Sequence, residues 1–320
     1  MSEKVDLFNM DAEDASLSFL NNGSKTNDGI YRPAPKDAKD KSKGYVATIR
    51  FIPNLLADGT LGQSAIEKAI HYANLSDYPD LSGYYDSLIN FGEKCPLTTL
   101  YWKLRNSKNQ AEVERASLIN RSTKYYSYIL VIEDEQHPEY EGKIMIFPYG
   151  FKIRDKINLE RTGENTDGKK CNVFDPANGK DFRLIVKEIG GFPNYDSSMF
   201  RSVSPMSLWS ENDKKFRQLP VEFNEEKEKN VITNKKAQTM LMEFLNSRTV
   251  HLEDHVAKQW SDETKSKVEK IVEILSGNSA VIAKKHIEEA TATTTTTTSV
   301  TDSSFDETSS DDLDDFFGED

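Results

Sequence analysis

The side chains best equipped for chemistry lie between positions 121 and 156, where cations and rings are interleaved. Arg121, Lys124, Tyr125 and Tyr126 stand together, and so do Phe147, Tyr149, Lys152, Arg154 and Lys156. Flat rings stack on unpaired bases for about 1–3 kcal/mol per base, and Lys or Arg neutralises the adjacent phosphates. This chemistry suits a single strand of nucleic acid and needs no strict spacing, because every base has a π face. The competing reading puts the rings in a hydrophobic core. It is at least as strong for any single Tyr or Phe, and weaker for the cluster, since cations recur beside rings at both ends of it.

Other constellations fall short of a site. Gly163-Glu164-Asn165-Thr166-Asp167-Gly168-Lys169-Lys170 resembles a phosphate-binding loop, but Lys170 stands where a Ser or Thr would hold magnesium. His251 and His255 are four apart without the Glu that follows the first His in zincins. His71 and Cys95 are the two metal-ligand types between the N-terminal part and the hairpin, and two ligands do not close a tetrahedral zinc site. Cys171 reads as a buried small residue, and no Gly-x-Ser-x-Gly is present. The chain is therefore expected to be no enzyme. The alternatives kept open are a metal-dependent nuclease using acids such as Asp175 and Asp181, and an acidic DNA mimic that inhibits a host DNA-binding protein.

Strands and helices must position these groups. Tyr45 to Ile52 is rich in β-branched and aromatic residues and predicts a strand stopped by Pro53. Residues 61–75 and 97–120 carry apolar spacings that predict helices. Tyr125 to Ile132 and Lys143 to Lys152 predict a hairpin across a polar turn. Alternation puts Tyr126, Tyr128, Leu130 and Ile132 on one face and Tyr125, Ser127, Ile129 and Val131 on the other, with Phe147, Tyr149 and Phe151 together. Phe182 to Ile189 predicts a further strand, with Phe182, Leu184 and Val186 opposite Arg183, Ile185 and Lys187, ended by Gly190-Gly191. Ala237, Met240, Leu241, Phe244 and Leu245 trace a helical face. Ser261 predicts the cap of a last helix through Val268, Ile271, Val272 and Leu275, with Gly277 beyond it. Without regular βαβ alternation the expected class is α+β, a small barrel with helical parts.

The 320 residues carry a formal charge of −12, which at face value disfavours a phosphate-rich partner. Its distribution changes that. Residues 291–320 hold nine acids and no Lys or Arg, so residues 1–290 keep 41 basic and 44 acidic groups, a net of −3. Residues 94–187 hold 17 basic and 13 acidic groups, a net of +4. The end is low in complexity, with an unbroken threonine run from Thr293 to Thr298, and is expected to be disordered. Within it, Asp311, Asp312, Leu313, Asp314, Asp315, Phe316 and Phe317 set apolar residues among acids, as a docking peptide does; a merely solubilising tail accounts for the charge but not for Leu313, Phe316 and Phe317. Tethered to a basic centre, this tail is expected to compete with DNA, so truncation after Ala292 should tighten binding at low salt. No stretch reaches the ~18 apolar residues of a membrane span. Met1 to Asp6 lacks the pattern of a secretory signal, and Cys95 and Cys171 alone suit a reducing compartment. The expected organisation is a flexible arm over 1–43, with one short helix around Asp11 to Leu20, a core over 44–277 and the tail over 278–320.

Several blocks, in order, resemble the single-stranded DNA-binding proteins of T-even-type bacteriophages. They are Tyr45 to Pro53, Tyr125 to Asp134 with Glu141-Gly142-Lys143, Tyr149-Gly150 with Lys152 to Asn158, and Phe182 to Val186 with Gly191 to Asp196 and Phe200. The acidic end is similar as well. The resemblance implies an OB-fold, a five-stranded barrel whose groove holds single strands. It implies an arm for self-association along the strand, a tail that recruits replication and recombination proteins, and a place in the cytoplasm of a phage host. Arg121, Tyr125, Tyr126, Phe147, Tyr149 and Tyr195 fall where the family places groove cations and rings. There are two departures. The family's zinc site uses one His and three Cys, but here Cys95 is followed at the next ligand position by Thr98 and no other Cys is near. No cofactor is therefore expected, and packing of Tyr101, Trp102 and Leu104 is expected to hold that subdomain. The family's basic arm motif has its nearest counterpart in Lys39-Asp40-Lys41-Ser42-Lys43, which is interrupted by acid.

Overall fold

The computed structural model describes residues 29–165 and 167–277. The chain divides into two units, Met1–Val272 and Glu273–Asp320. In the second, the described residues 273–277 complete a helix and its exit at Gly277, whose φ is +76°. The short helix expected around Asp11 to Leu20 and the acidic tail lie outside the described residues.

The first unit is α+β, as expected. In chain order it holds β1 (Tyr45–Phe51), β2 (Ile66–Ala73), β3 (Gly83–Asp86), α1 (Pro96–Arg105), α2 (Gln110–Ala116), β4 (Ile119–Asp134), β5 (Ile144–Tyr149) and α3 (Phe151–Thr162). There follow β6 (Lys180–Ile189), β7 (Phe192–Asn194), β8 (Met199–Val203), β9 (Ser207–Ser210), β10 (Lys215–Gln218), β11 (Glu222–Asn224), β12 (Lys229–Val231), α4 (Lys235–Asn246) and, as far as Val272, α5 (Asp262–Leu275).

β4, 16 residues long, organises the main sheet. Its first half pairs with β2, its last third with β1, and its middle with β5, all antiparallel. At Tyr125 and Tyr126 it pairs with β2 and β5 at once, and at Ile129 and Leu130 with β1 and β5 at once. A strand has two edges, so β2 and β1 succeed one another along one edge and β5 holds the other. β1 also pairs with β6, which carries β7 and β8. The sheet order is β3-β2-β4-β1-β6-β7, and no pairing among the described residues closes it into a five-stranded barrel.

Alternation along β4 feeds two cores. Tyr125, Ile129 and Val131 join Ile49, Phe51, Phe147, Tyr149, Phe182, Leu184 and Val186. Tyr128 and Leu130, with Tyr126 and Ile132 partly buried, join Ile52, Ile146, Leu208 and residues of α4. The two faces read from alternation are thus the observed ones. In α4, Ala237 and Leu245 are buried, but Met240 is exposed. Ser261 caps α5 as expected, its Oγ accepting the Thr264 N–H at 3.2 Å. Gly190 and Gly191 both have positive φ and form the two-residue turn from β6 into β7.

Three expectations are corrected. Residues 61–75 are not a helix: Ile66–Ala73 is β2, whose backbone groups are taken by strands on both sides. Residues 97–120 are not one helix. α1 ends at Arg105, Asn109 caps α2 by accepting the Ala111 N–H, and β4 begins at Ile119. The strand after the polar turn stops at Tyr149, so Phe151 and Lys152 open α3 instead.

β2, β3, α1 and α2 form a small lobe. Leu97, Leu100 and Leu104 of α1 are buried. Beneath α1, His71 is fully buried and its Nε2 lies 2.8 Å from Thr98 Oγ1. Burial pushes the Cys95 thiol up, but hydrogen bonds to His71 and Ser87 outweigh it and bring it down to about 6. Within the segment read as an arm, residues 29–43 lie on the main body. Ile30 bridges Ile146, and the hydroxyls of Tyr31 and Tyr45 both donate to Asp134 Oδ2, at 2.6 and 2.5 Å.

Candidate nucleic-acid interface

The middle of β4 is where cations and rings converge. Arg121, Thr123 and Tyr125 share one face. Toward the strand's start that face is covered by α1, through the His71–Thr98 contact on the neighbouring strand; at Tyr125 it meets Arg154 of α3. Between these covers, Arg121 is half-buried, and its Nε has no hydrogen-bond partner among the described residues.

The helix α3 changes how the basic run is used. On a strand Lys152, Arg154 and Lys156 would share a face; on a helix residues four apart do, and the one between turns away. Lys152 Nζ accordingly reaches Asp196 Oδ1 at 3.2 Å, and Lys156 Nζ donates to the Asp196 carbonyl at 3.2 Å. Arg154 turns to Tyr125 instead. Its Nε donates to the Tyr125 hydroxyl at 3.2 Å, and its guanidinium lies 5.6 Å from the Tyr125 ring centre and 5.3 Å from that of Phe151. Phe151 is 47% exposed, the most open ring of this group. The Asp196 carboxyl sits below its ordinary range because Asn194 and then Lys152 donate to it.

The aromatic residues singled out from sequence separate into different environments. Phe147 and Tyr149 are 1% and 4% exposed, so both rings are core. Tyr149 lies against Tyr125, ring centres 5.7 Å apart, and its hydroxyl meets Ser127 at 3.0 Å; burial pushes that hydroxyl's pKa up. Tyr125 is itself 6% exposed. Tyr195 is partly buried against the same core, and burial raises its hydroxyl too.

Tyr126 and Lys124 point to the opposite face of β4. Directly paired residues share a face, so this side also carries Lys68 opposite Lys124, and Tyr72 opposite Tyr84 on β3. All are half-buried. The Tyr72 and Tyr84 rings are 4.8 Å apart, and Tyr126 stacks on His255 at 4.8 Å and 15°. Lys68 pairs with Asp86 at 2.8 Å. Burial lowers the Lys124 ammonium, and burial first, then Asp86 and Tyr84, brings the Tyr126 hydroxyl to about 12. Lys68, Tyr72 and Tyr84 were not among the residues read from sequence. The alternation Ile66, Lys68, Ile70, Tyr72 carried the signal, and the helical reading of 61–75 hid it.

The acids offered for a nuclease have structural partners. Asp181 pairs with the buried guanidinium of Arg50 at 3.1 Å, and Asp175 Oδ1 accepts the N–H groups of Ala177 and Asn178 at 2.7 and 3.1 Å. No helix among the described residues is long and apolar enough to cross a membrane.

The single-stranded DNA-binding protein of Enterobacteria phage T4 is 37% identical over 123 residues, and that of Enterobacteria phage T2 is 36% identical over 123 residues. Each match spans 38% of this chain and 38% of the relative's own length. The family model described as gp32 DNA binding protein like matches residues 43–246, which run from just before β1 to the end of α4. The chain therefore belongs to the gp32-like DNA-binding protein family.

Proposed function

We propose that the protein is a sequence-tolerant, non-enzymatic single-stranded DNA-binding protein. The observation that carries this reading is the Arg154–Tyr125–Phe151 cluster beside Lys152 and Lys156, a guanidinium held between two rings at the middle of β4. Arg121, Lys152, Arg154 and Lys156 serve phosphates. Phe151 and the accessible part of Tyr195 serve bases, while Tyr125, Phe147 and Tyr149 support them from the core. The half-buried rings Tyr72, Tyr84 and Tyr126, with Lys68 and Lys124, form a second track on the opposite face. The relatives' names supply the substrate class, and the interleaved chemistry of rings and cations agrees with it.

In this reading the sheet around β1, β4, β5 and β6 is an OB-type core. The protein coats and protects single strands during phage replication, recombination and repair in the host cytoplasm. The N-terminal segment supports self-association along the strand. Asp311 to Phe317 docks partner proteins and competes with DNA for the basic centre.

A binding curve on single-stranded DNA, duplex DNA and RNA oligomers, titrated with salt, tests the proposal. Affinity for single strands should fall with salt, with a slope near 0.7 per phosphate contact. Arg154→Ala should lower that slope if the first face carries the strand, and Lys124→Ala if the second does. Affinity indifferent to salt, or cleavage of labelled strands with magnesium, would overturn it.

A further inference from the structure

The family's zinc site falls within the small lobe, and there the side chains tell a different story. His71 on β2, Ser87 directly after β3, and Cys95 and Thr98 at the start of α1 converge on one buried point. His71, Ser87 and Cys95 are 0%, 0% and 2% exposed. The imidazole Nδ1 lies 3.4 Å from the Ile119 carbonyl, which can only accept. In the neutral ring that leaves Nε2 as the acceptor, so Thr98 Oγ1 donates to it at 2.8 Å. Thr98 Oγ1 in turn lies 3.2 Å from Ser87 Oγ. The polar side-chain atoms of His71, Thr98 and Ser87 thus have partners within the lobe.

This donor set does not fit zinc. Zinc is held by thiolates, imidazoles and carboxylates, whereas two of the four side chains here end in neutral hydroxyls. Among the described residues no group of three His, Cys, Asp or Glu could hold a metal ion. The lobe is tied by other means at the same place. The Ser87 N–H donates to the Ala69 carbonyl at 2.9 Å. Asn90 clamps β2, accepting the Ala69 N–H and donating to the Ala69 carbonyl, both at 2.8 Å.

We propose that the hydrogen-bonded side chains of His71, Thr98 and Ser87, with the buried free thiol of Cys95 among them, stand in the place of the family's zinc ion, so that the lobe folds without metal. Ser87 is then the fourth position, which spacing alone did not identify. A corollary is that the metal site is two substitutions away: Ser87→Cys with Thr98→Cys restores one His and three Cys around the same point.

The test measures metal content and response in the full chain. Purified native protein should carry no stoichiometric zinc, and its melting temperature should not change with EDTA or added zinc. The double variant should take up one cobalt ion with a thiolate-to-cobalt charge-transfer band, and zinc should raise its melting temperature. A double variant that folds only when zinc is supplied gives the same support. Stoichiometric zinc in the native protein, or an EDTA-dependent loss of its lobe, would overturn the proposal. So would a folded double variant that takes up no metal. None of these readouts depends on DNA binding, so the proposed function stands or falls separately.

Discussion

Around Phe51, five rings pack within 6.4 Å, from Phe147, Tyr149, Phe174, Phe182 and Phe200. In the small lobe the buried centre is a histidine, a serine, a cysteine and a threonine. The first region draws its stability from apolar area, a non-directional term spread over many contacts. The second draws on a few directional bonds between groups that cost free energy if left unpaired after burial. An apolar core accepts a change of shape at modest cost if volume is kept, whereas a polar centre fails when one partner is removed. The difference assigns separate roles: the core holds β1, β4, β5 and β6 in register, and the lobe supplies the strands that extend β4's second face.

The largest effect should come from the core. Phe51→Ala removes the ring that five others touch and should cost about 3–5 kcal/mol in denaturant unfolding. Phe51→Leu, which keeps most of the volume, should cost much less. Equal losses from the two would contradict the reading of this region as one fixed by packed volume.

The lobe should respond differently. Thr98→Val keeps the shape but removes the donor to His71 and the partner of Ser87, at about 1–3 kcal/mol for groups left buried and unpaired. Hydrogen exchange should show that loss in the amides of β2 and β3 while those of β1 and β6 stay protected. Uniform loss across both regions would mean that lobe and core are one cooperative unit, and the comparison would need redrawing.

The same contrast explains what could be read from the residues. β1, β6 and the second half of β4 were legible because each is a run of β-branched and aromatic residues bounded by turn signals, even where, as in β4, both faces are buried. β2 was not, because Leu61, Ala65, Ile66, Ala69 and Ile70 fall at helical spacing, while Ala69, Ile70 and His71 are buried in succession and break the alternation of a strand. The start of β4 was hidden for a related reason: Leu118 and Ile119 extended the apolar spacing of the helices before them. The start of α3 was read as the end of the returning strand because Phe151 continues the alternation of Phe147 and Tyr149, and the rest of the helix went unread. That misreading mattered for the site, since it is the helix that sends Arg154 to Tyr125 and both lysines to Asp196. The hairpins β9–β10 and β11–β12 went unread; their turns use Lys214 and Glu228 at positive φ, without the glycine that announces such turns.

At the middle of β4 stability and binding should come apart. Arg154→Ala loses a hydrogen bond and ring contacts at a partly buried position, so the fold should lose about 1 kcal/mol. The salt dependence of single-strand binding should nevertheless drop by about 0.7 in slope, the value of one phosphate contact. A large loss of stability would place Arg154 with the core and remove it from the interface.

The smallest effect should come from Asp196, and it carries a sign. Its carboxylate engages Lys152, and its carbonyl accepts from Lys156, so it holds two candidate phosphate ligands. Because Asn194 and Lys152 lower its pKa, the ionised form contributes stability above the unfolded value of 3.8 and loses it as pH falls through the lowered one. The group is exposed, so this contribution is slight and screened by salt. Its influence on binding should be easier to see. Asp196→Asn keeps the shape, removes the charge and frees Lys152, so single-strand affinity should rise modestly at low salt and the salt slope should steepen. Lys152→Ala alone should move the Asp196 carboxyl back toward its ordinary value in an NMR titration. If Asp196→Asn weakened binding instead, Asp196 would be acting as the anchor that aims Lys152 and Lys156, and the pairing would belong to the interface's architecture rather than oppose it.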